Sequence, residues 1–468
     1  MRQTRRSFIR SGLVATGLGL TGLHACVGRG TPPAFHPALG PLRPARDETT
    51  GLNLLNLPDG YRYRTMAWAG ETMSDGFPAP QRTDGMGVVR ADDHHVTLVR
   101  NHELRGSSGA IGRPETAWDV TGGGTTTLRF DRATERLESS HVSLGGTVSN
   151  CAGGVTPWGT WLSCEESVLS PDLAHHGIQS RQRYYGLGNA RRSHGWVFEV
   201  DPAGATDPQP ITGMGQFYHE AAAVDPDSGI VYLTEDRGPD AGLYRYIPTT
   251  PGSLGGGGQL QMLRVEGYPR LTHSVPIGQA MRIGWVTIDN PAQGNSPGTH
   301  DEKGVVNQGL RAGATAFMTL EGCALRDGLL YFTSKAGGAA GKGVVFCLDL
   351  VREEITVVYE SQAGERFSGP DNLVFSPNGA LVVCEDRLGR NLSGQFLAGL
   401  AADGSLFALA QINPELAGRY ADHDLATTAR ISEWAGVCFA PDGAWMFANI
   451  FRPGVTVAIT GPWGDGPV

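Results

Sequence analysis

Residues 150–166 read NCAGGVTPWGTWLSCEE, and the fold turns on how this stretch is parsed. Pro157, Trp158 and Gly159 have the composition of a tight turn. The β-branched and aromatic run from Thr160 to Ser163 has the character of a strand, ending on Cys164, Glu165 and Glu166. The segment therefore predicts a β-hairpin. Its pattern is a turn carrying Gly, Asp or Asn, then four or five apolar residues, then a polar or acidic end. It returns as VDPDSGIVYLTED (224–236), LRDGLLYFTSK (325–335), FSPNGALVVCED (375–386) and FAPDGAWMFANI (439–450). A looser copy, ADDHHVTLVRNHE (91–103), precedes them and brings the number to six.

Composition agrees with many tight turns. Glycine accounts for 67 of 468 residues, about twice the usual ~7 %, and 29 prolines accompany it. Few stretches carry a helical period; residues 391–400 are the best helix candidate, and the class is mostly β. The net charge of −9 leaves no basic footprint for nucleic acid and suits hard cations better. Residues 4–10, TRRSFIR, followed by a weakly apolar run to Leu23, form a twin-arginine export signal, too short to span a bilayer. The expected organisation is a leader over 1–30, a Pro-rich linker over 31–51 and one β domain over 52–468, with no membrane span. The expected location is periplasmic or secreted, with lipidation of Cys26 as an alternative. Seven cysteines without a CxxC pair argue against a zinc site, and folding before export argues against disulfides.

Register gives the repeats chemical content. With Gly159, Gly229, Gly328, Gly379 and Gly443 as equivalent turn positions, the sixth residue onward is Glu165, Glu235, Ser334, Glu385 and Asn449; from His95 it is Asn101. Seven to ten residues before each turn stands another polar group: Asp84, Cys151, Glu220, Glu321, Asp371 with Asn372, and Glu433. Units repeated around an axis bring equivalent positions together. Carboxylates gathered in one place are costly unless they take up protons or bind cations, so the pattern predicts a propeller with a metal cluster on its axis.

Several of these motifs resemble those of the PhoX family of bacterial alkaline phosphatases: the 150–166 stretch, Asn101-His102-Glu103, Tyr218-His219-Glu220, Thr234-Glu235-Asp236-Arg237, Gly369-Pro370-Asp371-Asn372, Cys384-Glu385-Asp386-Arg387 and the 439–450 segment. The resemblance runs from about Leu52 to Thr456. It implies an all-β, six-bladed β-propeller with irregular loop insertions, with Fe3+ and Ca2+ in the central channel, hydrolysing phosphate monoesters and in some members diesters. The implied ligands are one cysteine thiolate and several inner-strand carboxylates. The thiolate is Cys151 or Cys164; strand alternation turns Cys164 away from Glu165 and favours Cys151. The matched carboxylates are Glu165 or Glu166, Glu220, Glu235, Asp236, Glu321, Asp371, Glu385 and Asp386. Arg237, Arg387 and Lys335 are the candidate catalytic groups that would grip the phosphoryl oxygens, with His102 and His219 as supporting groups. The expected partners are a small-molecule phosphate ester and the twin-arginine translocation machinery, and the chain is expected to be a monomer. Two other readings suit an acidic propeller channel: a calcium-dependent lactonase or esterase, and a non-catalytic binding propeller stapled by calcium.

Overall fold

All six hairpins form. In the computed structural model they are β1 (Thr83–Ala91) with β2 (His95–His102), β3 (Asn150–Val155) with β4 (Trp161–Glu165), β5 (His219–Val224) with β6 (Val231–Glu235), β7 (Leu320–Arg326) with β8 (Leu329–Ser334), β9 (Pro370–Phe375) with β10 (Leu381–Glu385), and β11 (Trp434–Phe439) with β12 (Met446–Ile450). The structure describes residues 39–463 except 107–108, 170–189, 205–206, 274–275, 388, 390–391 and 402–403. The expected export signal over 1–30, with Cys26, lies outside the described residues, as does the stretch 170–189. Five turn glycines, Gly159, Gly229, Gly328, Gly379 and Gly443, have φ of 86°, 72°, 76°, 91° and 72°. That left-handed conformation is what their turns required of the sequence.

The first strand of every hairpin is the edge strand of its sheet. These six edges pack in order around an axis, β1 on β3, β3 on β5, and so on to β11, which returns to β1. The result is an all-β, propeller-like fold. Apolar clusters fill the wedges between neighbouring sheets, among them one around Trp434, Tyr63 and Leu409 and another around Phe317, Phe332 and Phe346. The chain ends close the ring, since Arg62–Met66 pairs antiparallel with Val455–Thr460.

The sheets do not separate into six four-stranded blades. They hold four, three, nine, six and four strands. The nine-stranded sheet arises because Met281–Thr287 pairs on one side with Gly258–Val265 and on the other with Glu354–Glu360, which welds the β5 and β7 hairpins into one surface. The Gly-rich region 248–313 supplies two of these three strands, Gly258–Val265 and Met281–Thr287, and its composition hid them. It also holds an α-helix, α1 (Gly304–Arg311), whereas Phe396–Leu400, inside the expected helix, is a strand pairing with β10. Phe396 and Leu397 are buried between strands on both sides, and tertiary packing overrides the local helical character there. Among the described residues no helix is long and apolar enough to cross a membrane.

Candidate metal centre

Each inner hairpin carries the same irregularity. The ladder slips between Thr83 and Met86 in β1, Asn150 and Gly153 in β3, His219 and Ala222 in β5, Leu320 and Cys323 in β7, and Pro370 and Leu373 in β9. A bulge of this kind re-aims the side chain at its first unpaired position. Those positions are Asp84, Cys151, Glu220, Glu321 and Asp371, and all five line one axial cavity of about 270 Å3. In β11 the slip begins one residue later, after Ala435, and Glu433, just ahead of the strand, supplies the sixth group.

The partner strands contribute the residue immediately after their last paired position. From β2, β4, β6, β8, β10 and β12 these are Glu103, Glu166, Asp236, Lys335, Asp386 and Phe451, and each lines the cavity. Arg82, Arg105 and Arg452 complete the charged lining. Nine carboxylates and a thiol thus face four cationic side chains.

The inner strands must approach closely to build this ring, and the residue after Asp84, Cys151, Glu220 and Glu321 is correspondingly small: Gly85, Ala152, Ala221 and Gly322. A Cβ on Gly85 would lie 2.4 Å from the Ala152 Cα, and one on Gly322 2.7 Å from the Asn372 Cα. Polar side chains of one hairpin then fix the backbone of the next. Asn101 Nδ2 donates to the Cys151 carbonyl at 3.1 Å, Thr234 Oγ1 to that of Glu321 at 2.5 Å, Thr333 Oγ1 to that of Asp371 at 2.7 Å, and Asn449 Nδ2 to that of Asp84 at 2.5 Å. Asn101, which shares its offset with the acids in the sequence, is one of these braces, as is Asn449.

Electrostatics shows how hard the ring is to hold together without cations. Glu220, Glu321 and Asp371 each offer an oxygen such that all three lie within 4.8 Å of one another. Burial, followed by the fields of Asp371 and Asp84, pushes the Glu220 carboxyl well above its usual range. Burial and the neighbouring Asp236 and Glu103 lift Glu166 to about 8, and burial against the pull of Lys335 leaves Asp371 at about 6. Burial, then Asp84 and Glu220, raises the Cys151 thiol well above its normal value, and its Sγ sits 3.5 Å from Asp84 Oδ2. Lys335 is the central counter-charge: its Nζ bonds Asp386, and lies 3.3 Å from Asp371 Oδ2 and 3.8 Å from Glu321 Oε1. Burial works against this ammonium, and the surrounding acids outweigh it and raise its pKa.

Both carboxylate oxygens of Glu220 and one of Glu321 are buried with no hydrogen-bond partner. A buried polar atom in that condition costs roughly 1–3 kcal/mol, more when charged. The donor set therefore fits cations: clustered carboxylates suit a hard ion such as calcium, and a thiolate among them adds a site for a transition metal such as iron.

Three of the acids expected as ligands, and both arginines expected as clamps, are turned elsewhere. Glu165, Glu235 and Glu385 end their strands one residue before the cavity-facing position, so alternation points them the other way. Glu165 accepts from Val148, Gly195 and Trp196 N–H and holds His194 Nδ1 at 2.7 Å. Glu235 accepts from Gly242 N–H and the Tyr244 hydroxyl, and Glu385 from Ser368 and Phe396 N–H. All three tie loops to their own sheets. Arg237 binds Glu302 and the Asp301 carbonyl and lies over Tyr218, while Arg387 pairs with Glu385 and donates to the Ser393 carbonyl. Neither arginine lines the cavity. Cys164 is fully buried in an apolar cluster with Leu162 and Phe217, off the axis. Neither expected supporting histidine reaches the ring: His102 bonds the Gln81 carbonyl and Thr126, and His219 the Gly215 carbonyl.

Glu103, Arg82, Arg105 and Arg452 escaped the sequence reading. For Glu103 a signal existed: aligned on the strand end, Asn-His-Glu matches Cys-Glu-Glu, Thr-Glu-Asp and Cys-Glu-Asp, and the third letter is the one that faces the axis. Arg105 Nη2 bonds Glu103 and lies 3.1 Å from Glu166 Oε2. Arg82 and Arg452 flank the ring of Phe451, at 5.6 and 5.5 Å from its centroid.

Fold and centre together define an all-β, propeller-like protein with a strongly anionic, cation-seeking cavity on its axis. Within that class the chain belongs to the alkaline phosphatase PhoX family, whose sequence model matches it over residues 38–138 and 114–454. It is accordingly a phosphoric ester hydrolase of a metal-dependent family. Among solved structures it is similar to Pseudomonas fluorescens PhoX in complex with vanadate, a transition state analogue, at 17 % identity and a TM-score of 0.63, covering 91 % of this chain and 98 % of that one. A gluconolactonase from Xanthomonas campestris is a looser likeness, at 13 % identity and a TM-score of 0.42 over 91 % of this chain and 98 % of that one. No curated protein sequence matches the chain.

Proposed function

We propose that the protein is an exported phosphatase that hydrolyses phosphate monoesters, with diesters as a further substrate class, at a cluster of Fe3+ and Ca2+ held in the axial cavity. The observation that carries this reading is the unpartnered, buried carboxylate of Glu220, set between Cys151, Glu321 and Asp371 in a ring with too few cationic side chains of its own. Cys151 and Glu220 are the residues we assign to iron, and Glu166, Asp236, Glu321, Asp371 and Asp386, with Asp84, Glu103 and Glu433, to the cluster as a whole. When bound, such metals supply Lewis-acid polarisation of the phosphoryl group and an oxygen nucleophile active at neutral pH. The chain's own residues do the rest. Lys335 keeps a fixed positive charge inside the ring. Arg82 and Arg452, braced on Phe451 at the rim, are the forks for the remaining phosphoryl oxygens, and Arg105 holds Glu103 and Glu166 in place.

Six inner strands around the axis support the reading of six blades, two of them fused in the nine-stranded sheet. The twin-arginine leader supports export through that translocation machinery to the periplasm or beyond, as a monomer, with lipidation of Cys26 as an alternative to release. Elemental analysis of protein purified from an exporting host, paired with an aryl phosphate assay before and after chelation, tests the whole. Iron and calcium bound together, with activity lost on chelation and restored by both ions, is the expected result. Activity without either metal overturns it.

A further inference from the structure

A second cavity, of about 320 Å3, lies on the axis on the other side of the acid ring. Its lining begins one residue further along all six inner strands, at Gly85, Ala152, Ala221, Gly322, Asn372 and Gly436, directly after the ring positions Asp84, Cys151, Glu220, Glu321, Asp371 and Ala435. The ring is thus the floor of one cavity and the roof of the other. The lower one ends toward the hairpin turns, where Val155 is 37 % exposed. Its wall carries no charged side chain. It is built from six sheet edges and from apolar side chains such as Val88, Leu325 and Val374. Nearest the ring the Ala152 carbonyl and the Gly436 N–H are taken by Asn101 and Asn372; further down, the outward N–H and C=O groups have no strand beside them and present donors and acceptors to whatever fills the space.

Such a wall accepts water and rejects ions. Neutral backbone dipoles can meet a water's two to four hydrogen bonds, whereas a phosphate dianion or a bare cation would leave its solvation shell with no counter-charge to meet it. The reaction supplies the need. In phosphoryl transfer the attacking and leaving oxygens stand roughly in line through phosphorus. The arginines lie on the upper side, so the ester's organic group and its departing oxygen point to the upper mouth. The oxygen that attacks then comes from the ring side, and while substrate fills the upper cavity, water reaches the ring from below.

We propose that the lower cavity is a water feed: it delivers the water consumed in each turnover to the face of the ring opposite the substrate. That water's oxygen forms the new bond to phosphorus as the ester P–O bond breaks; one of its protons ends on the departing alkoxide and the other stays on the phosphate. The inference rests on the phosphatase reading above.

The test narrows the conduit at two depths, with Val155→Trp at the exposed mouth and Ala324→Phe deeper in the wall, and uses the exposed Ile277→Trp as a control elsewhere on the surface. In metal-replete full-length protein of unchanged melting temperature and metal content, kcat for an aryl phosphate is expected to fall at least about fivefold. KM and inhibition by inorganic phosphate stay as they were. Loss of 18O from labelled inorganic phosphate slows by the same factor. Parent-like kcat and exchange in both narrowed variants overturn the water feed. A parent that hydrolyses no aryl phosphate overturns instead the phosphatase reading on which the feed depends.

Discussion

Glu165 and Glu166 leave the same strand one residue apart, and alternation sends the first to His194 and the second into the axial cavity. Their substitution by glutamine is therefore expected to separate stability from function. Glu166→Gln should lower metal content and kcat, and its melting temperature should fall no further than that of the chelated parent. Glu165→Gln breaks a buried ion pair and should destabilise by about 3 kcal/mol while the remaining folded protein still binds metal; denaturant unfolding and elemental analysis distinguish the two. The cysteines divide in the same way: Cys151→Ser is expected to lose bound iron and turnover, and Cys164→Ser to keep both at a modest cost in packing. His194 gives the pH dependence. Burial alone would push its pKa down, but Glu165 and Asp119 on its two ring nitrogens outweigh that and raise it to about 9. A raised folded-state pKa means stability fully present below the unfolded value of about 6.5 and lost as pH rises toward 9. Unfolding free energy measured across that window should fall in the parent and stay flatter in His194→Gln.

At the level of the hairpin, the bulge and its brace decide where the ring groups point. Thr333→Val removes the only side-chain hydrogen bond described to the Asp371 carbonyl. It is expected to cost about 1 kcal/mol in stability and to weaken metal retention in a dialysis series, although Thr333 touches no ligand atom. The same elements show what the sequence could reveal. The turns were legible because a left-handed φ leaves glycine as the favoured residue, and the entering groups Asp84 to Glu433 were legible because a polar side chain ahead of a Gly- and Ala-rich strand has few other uses. Counting forward from a turn finds the end of a strand, but it does not choose between two adjacent acids on opposite faces. Counting alone therefore cannot part Glu235 from Asp236 or Glu385 from Asp386. In the first and last hairpins the count slipped by one, landing on Asn101 and Asn449 rather than on the strand ends at His102 and Ile450. Arg82 and Arg452 lie just outside the repeats, and nothing in their local sequence marks them. The weld that makes nine strands from two hairpins is a non-local pairing of Met281 and Arg282 with Ile355 and Glu354, and no periodicity encodes it.

For the molecule as a whole, the acid ring makes the cations part of the architecture as well as of the chemistry. Six separate edges converge on it, and ions that bind the folded ring but not the unfolded chain stabilise by about 3 kcal/mol at a hundredfold excess over Kd. Chelation is therefore expected to lower the melting temperature, and re-addition of calcium alone to recover most of the loss while activity stays absent until iron returns. Scanning calorimetry beside an aryl phosphate assay checks both halves.

The pairing of Arg62–Met66 with Val455–Thr460 joins segments that lie far apart along the polypeptide. Closures of such range are slow compared with the zipping of one hairpin, so a denatured sample returned to native conditions is expected to recover its ion-holding form at the pace of this single long-distance clasp.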